Sequence, residues 1–154
     1  MSDIRIVREY PHPPAKVWCA LTDPALMALW AARTEGFSTA VGTRFRFVGK
    51  PMPGWSGIVA CEVLEAHAPS LLRYSWVADG SDATHVTYRL EPLAGGTRFT
   101  FEHAGFTGIG GFFLAKLVMT PIRKRMFGVR IPAVLNYVDG ERKLHPASTL
   151  KQKF

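Results

Sequence analysis

From Phe37 to His103 the chain carries period-two hydrophobic patterning in successive short runs, and this constrains its fold more than any other feature. In the first run Phe45 and Phe47 lie on one side, Arg44 and Arg46 on the other, between Gly42 and Gly49. Trp55–Glu65, Leu71–Val77, Thr84–Glu91 and Thr97–His103 follow, separated by Gly, Pro, Asp and Ser connections of hairpin length. An antiparallel meander is the simplest topology that buries one face of every run. The last pair can be placed in register. Val86, Tyr88 and Leu90 share a face with Phe99, Phe101 and His103 across the turn Leu93–Gly96, and one such register sets Glu91 opposite Arg98 on the wet face.

Helical periods flank the meander. After a strand over Asp3–Tyr10, Pro13-Pro14 starts a helix that runs to about Leu21, with Val17 and Leu21 on one stripe. Asp23-Pro24 repeats the start signal, Asp as N-cap and Pro at the first helical position, ahead of Leu26, Leu29 and Trp30. Beyond Gly105 the helical period returns, and Lys116, Thr120 and Arg123 form the only polar line. Pro121 and Pro132 predict a bent C-terminal helix in two or three pieces.

With 154 residues, 47% hydrophobic and 20% charged, the chain suits one folded domain over residues 1–144, followed by a loose basic tail at 145–154. The longest apolar stretch, Ile109–Ile122, is interrupted by Lys116 and falls short of the roughly 20 residues of a membrane-spanning helix. The first residues lack the blocks of a signal peptide, so a cytoplasmic location is expected. Cys19 and Cys61 have neither the number nor the spacing of a disulfide framework or a zinc site.

The order of elements is that of an α+β helix-grip fold, a curved antiparallel sheet wrapped around a long C-terminal helix with two short helices between the first two strands. The residues strengthen this: Pro13-x-x-Lys16-Val17-Trp18-x-x-Leu21-Thr22-Asp23-Pro24, Trp30, Val41-Gly42-x-x-Phe45-x-Phe47, Glu62-Val63-Leu64-Glu65 with Leu72-x-Tyr74-x-Trp76, and Gly96 to Phe106. Over roughly residues 3–140 they resemble the START-like (SRPBCC, birch-pollen-allergen) superfamily, in the branch named after the activator of the heat-shock-protein-90 ATPase. Gly110–Arg130 is similar to the polyketide cyclase-like branch, which stands as the second choice. Either resemblance implies a cavity between sheet and helix.

Candidate ligand contacts are Trp30, Phe45, Phe47, Trp55, Tyr74, Trp76, Tyr88, Phe101, His103, Phe112 and Phe113, all of which can equally fill a core. No catalytic residue is assigned. There is no Gly-x-Ser-x-Gly elbow, no full dinucleotide fingerprint and no P-loop, and no cofactor is expected. No metal site is expected either, because the register sends His85 and His103 to opposite faces and His12, His67 and His145 lie in turns or the tail.

The net charge of +7 favours acidic surfaces or anionic ligands. The cluster Arg123-Lys124-Arg125 with Arg130 suits an anionic membrane surface or an acidic partner, but a solvated basic helix face is the simpler reading. Nucleic-acid binding lacks the accompanying aromatic strand motif or recognition helix.

The function expected is binding of a small hydrophobic or aromatic ligand, a lipid or a metabolite, without catalysis, by a monomer or homodimer. The alternatives are a cyclase or dehydratase acting on an aromatic precursor, with His103 or Tyr88 moving protons, and a chaperone cofactor of the stress type. The eukaryotic activators that name the family carry a further N-terminal domain with no counterpart here, which weighs against direct transfer of the chaperone role.

Overall fold

Local signals at Pro13-Pro14 and Asp23-Pro24 produce the two short helices. Strand β1 (Ile4–Tyr10) ends at Pro11, and α1 (Pro14–Thr22) starts with proline in its first turn. The Asp23 carboxylate then accepts a hydrogen bond from the Ala25 N–H at 2.9 Å and starts α2 (Pro24–Trp30). In the computed structural model, residues 4–53, 55–79, 82–108, 110 and 118–137 are described. Six further strands follow: β2 (Arg33–Glu35), β3 (Arg44–Val48), β4 (Ile58–His67), β5 (Leu71–Ala78), β6 (Thr84–Leu93) and β7 (Gly96–Ala104). They form one antiparallel sheet in the order β1-β7-β6-β5-β4-β3-β2, a meander closed by β1 returning beside β7.

The register of the last hairpin is the one the pattern demands. Tyr88 faces Phe101, Leu90 faces Phe99, Val86 faces His103 and Glu91 faces Arg98. Period two puts Phe45, Phe47, Val59, Cys61, Leu72, Tyr74, Val86, Tyr88, Phe99 and Phe101 on the buried face. The other face carries ion pairs such as Arg46–Glu35 at 2.7 Å. Two boundaries differ from the sequence reading. β4 begins at Ile58 rather than Trp55, because Gly57 at φ +86° turns the chain and leaves Trp55 in an isolated bridge to Met52. The period-two segment expected from Phe37 begins at Arg44, and Arg33–Glu35 supplies an edge strand the pattern did not mark.

The C-terminal helix over 118–137 runs in three consecutive segments with no extended break between them. The chain is already helical at Met119, and α3 (Thr120–Arg125) continues through a π-helical turn (Met126–Arg130) into α4 (Ile131–Tyr137). Proline is tolerated here because the turn is wider. The Ile131 N–H reaches back five residues to the Met126 carbonyl, and in that pattern the partner of the Phe127 carbonyl is Pro132, which has no N–H. Tyr10 takes its place, donating its hydroxyl to the Phe127 oxygen at 2.6 Å.

The same device recurs in α1. The helical partner of the Ala20 carbonyl is Pro24, and the Trp30 indole N–H donates to that oxygen instead, at 2.7 Å. Two aromatic residues thus occupy fixed positions because prolines left carbonyls for them to satisfy. Phe127 packs on Trp30, Tyr88, Phe99 and Phe101, and with Ile131, Val134 and Leu135 it ties helix to sheet. Phe112, Phe113 and the basic tail at 145–154 lie outside the described residues.

Candidate functional site

Helix and sheet diverge toward the α3 end, and the gap is a cavity of about 700 Å³. Strands β3 to β6 supply its aromatic wall through Phe47, Tyr74, Trp76 and Tyr88, α2 contributes Trp30, and the β3–β4 connection contributes Trp55. The helix side presents Met119, Ile122, Arg123 and Met126. Met52, Val118 and Ile122 also line it and remain half or more exposed, which places apolar side chains at the mouth together with Asp79 and Asp82. The connection that carries Trp55 is pinned by backbone contact, Gly49 N–H to the Gly57 carbonyl at 2.8 Å, with no room for a side chain on Gly57.

Of the residues expected to contact a ligand, Trp30, Phe47, Trp55, Tyr74, Trp76 and Tyr88 line this cavity. Phe45, Phe101 and His103 do not. Phe45 is packed edge-on against Phe37 and Tyr74, Phe101 packs at a tilt against Phe127 with ring centres 4.5 Å apart, and His103 is held behind the wall by its own hydrogen bonds. Inward direction alone did not separate these from the lining, because the helix covers part of the buried face and leaves the rest open. His85 pairs with Ala104 and lies on the opposite face from His103, as the register requires. Among the described residues no cluster of three His, Cys, Asp or Glu side chains has metal-binding geometry.

The polar groups form two sets. Tyr74 and Tyr88, both buried, share a hydrogen bond between their hydroxyls at 2.7 Å. One hydroxyl donates to the other, so one phenolic proton has no acceptor among the described residues. Burial pushes both phenols up, Tyr88 to about 12, with the nearby Arg123 charge acting the other way, so both stay protonated donors.

The second set centres on Arg123, which the sequence reading placed in a solvated basic line. It is 6% exposed, whereas Lys124 and Arg125 are exposed as expected. Its guanidinium lies 5.7 Å from the Trp76 ring centre and 5.2 Å from that of Phe101. One Nη reaches His103 Nδ1 at 3.4 Å. A guanidinium only donates, so Nδ1 accepts and the His103 proton sits on Nε2. Nε2 donates to Thr84 Oγ1 at 2.7 Å, and Thr84 donates to the Trp76 carbonyl at 2.9 Å. Burial, then the Arg123 charge, then His85 lower the His103 pKa to about 2, so the imidazole is neutral. The signal for Arg123 was present in the spacing: it shares a helical stripe with Met119, Met126 and Phe127, all turned toward the sheet.

Residues 11–111, about two thirds of the chain, match the family described as Activator of Hsp90 ATPase homolog 1-like protein. The chain belongs to this family. Among solved structures, protein MLL2253 from Mesorhizobium loti is 29% identical, with a TM-score of 0.74 over 88% of this chain and 98% of that one. CalU16 from Micromonospora echinospora is 25% identical, with a TM-score of 0.65 over 82% of this chain and 74% of that one. DynU16, from the dynemicin biosynthetic locus, shares the fold at 23% identity and a TM-score of 0.72, over 91% of this chain and 49% of that one. No curated protein matches the sequence. The family's helix-grip architecture, with a sheet closing on a C-terminal helix, is the arrangement described above. No helix among the described residues is long and apolar enough to cross a membrane.

Proposed function

We propose that the protein binds a small hydrophobic ligand in the cavity between the sheet and the C-terminal helix, without transforming it. The observation that carries this reading is the cavity itself: about 700 Å³, walled by seven aromatic side chains and opening past Met52, Val118 and Ile122. That volume and lining match what small-molecule sites use, a mostly apolar cleft with a few placed polar groups. Both nitrogens of His103 are committed and its imidazole is held neutral, so the residue offered as a proton carrier serves instead to position Arg123.

A cyclase-like reading draws support from the spare phenolic proton of the Tyr74–Tyr88 pair, a donor suited to a ligand carbonyl. It lacks a base. Of the two carboxylates that line the cavity, Asp79 is tied to Ser56 through both oxygens, and both lie exposed at the mouth. A chaperone contact, the role the family is named for, is a separate surface question.

Native mass spectrometry of freshly purified protein, followed by denaturing extraction, tests the binding reading. Excess mass released on denaturation and resolving to one hydrophobic compound class is the expected result. A protein that also fails to take up any of a panel of naphthyl and alkyl compounds overturns it.

A further inference from the structure

Arg123 contributes a positive charge to the cavity, and among the described residues no negative charge stands close enough to pair with it. The residue is 94% buried, a site where an uncompensated ion is strongly disfavoured. No carboxylate comes within ion-pair distance of it among the described residues. Its hydrogen bonds are weak ones, 3.8 Å to the Met126 sulfur and 3.4 Å to the neutral His103, and Nε has no partner among the described residues. Five N–H donors are thus mostly unspent in an apolar chamber. The residue is also held in place: His103, fixed by Thr84, receives one edge of the guanidinium, and Trp76 and Phe101 flank it.

On the reading of this cavity as a ligand site, we infer that its occupant is a hydrophobic monocarboxylate whose carboxylate pairs with the guanidinium of Arg123. Arg123 lines the cavity, and a guanidinium meets a carboxylate through charge-assisted hydrogen bonds. One guanidinium balances one negative charge, so a carboxylate closes the local charge and a phosphate dianion leaves a surplus. Asp79 and Asp82 at the mouth repel an anionic group there, which sends the carboxylate inward and the apolar body toward the aromatic wall. The free phenolic proton of the Tyr74–Tyr88 pair is a second donor within the same chamber.

Titration calorimetry with matched acids and amides tests this. The probes are 2-naphthoate against 2-naphthamide, and decanoate against decanamide, with 2-naphthyl phosphate as a dianion. The wild-type protein is expected to bind at least one acid about 10- to 100-fold more tightly than its amide, the range of a charge-assisted hydrogen bond. Which pair responds distinguishes an aryl from an alkyl body. In Arg123→Gln the acid falls to the affinity of the amide while the amide is unchanged, and Arg123→Met serves in its place if that variant does not fold.

Equal binding of acid and amide overturns the carboxylate inference and leaves the hydrophobic cavity standing. So does a preference that survives in the variant, or tighter binding of the phosphate. Binding of none of the five probes overturns both readings.

Discussion

Arg123→Met separates a residue kept for a ligand from one kept for the fold, because the two roles give opposite signs of stability change. In the absence of ligand, burial deprives the guanidinium of hydration worth several kcal/mol. Against this stand two cation–π approaches, about 0.5–2 kcal/mol each. A 3.4 Å hydrogen bond to a neutral imidazole adds about 1 kcal/mol at most. Methionine keeps the unbranched stem and fills the space beside Met119 and Met126 without a charge to desolvate. The balance favours the variant by about 1–3 kcal/mol, in line with other replacements of buried ions by apolar side chains. For a chain of this length that is a rise in Tm of about 2–10 °C. Scanning calorimetry on ligand-stripped protein, with urea unfolding as a check on two-state behaviour, measures it. A native-like variant whose Tm falls by about 3 °C or more refutes the reasoning, since it makes the existing contacts of Arg123 sufficient and the residue a structural one.

Tyr10→Phe removes the donor that replaces the missing N–H of Pro132, leaving the Phe127 carbonyl unpaired in the core; a loss of about 1–3 kcal/mol in urea unfolding is expected, and no loss would mean that the helix satisfies this oxygen by itself. Gly57→Ala puts a Cβ 2.6 Å from the Gly49 carbonyl at φ +86°. The expected loss is about 3 kcal/mol or more, read from the urea midpoint, and an unchanged midpoint would contradict the packed connection beside Trp55. His103 is neutral in the folded protein down to about pH 2, whereas in the unfolded chain it gains a proton below its ordinary 6.5. The unfolded state therefore binds more protons in that window, and stability is fully present above about pH 7 and falls with acidification by up to about 1.4 kcal/mol per pH unit. His103→Gln should flatten urea midpoints measured from pH 7 to 4; an equal slope in the variant would assign the loss to other groups.

The sheet was legible because its signals are local. Period-two runs between short turns admit few pairings, and opposed charges such as Glu91 and Arg98 agree with only some of them. The short helices were legible for the same reason, each opening on a proline in its first turn. The candidate site was read in part. Six of the expected residues line the cavity, and the pattern could not tell them from Phe45, Phe101 and His103, which point the same way and are covered by other side chains.

By itself the sequence determined which residues turn inward, because alternation is a property of the extended backbone and holds before any tertiary contact forms. Only the tertiary structure decided which inward residues meet empty space. That depends on where the C-terminal helix crosses the sheet, and the crossing follows from long-range contacts: Tyr10 on the Phe127 carbonyl, and Phe127 among Trp30, Tyr88 and Phe101. The same crossing turned Arg123 from one member of a basic run into the one buried cation of the cavity wall among the described residues. The stripe shared with Met119, Met126 and Phe127 marks which member of the run turns inward, but how deeply that charge is buried is decided only once the helix is fixed against the sheet.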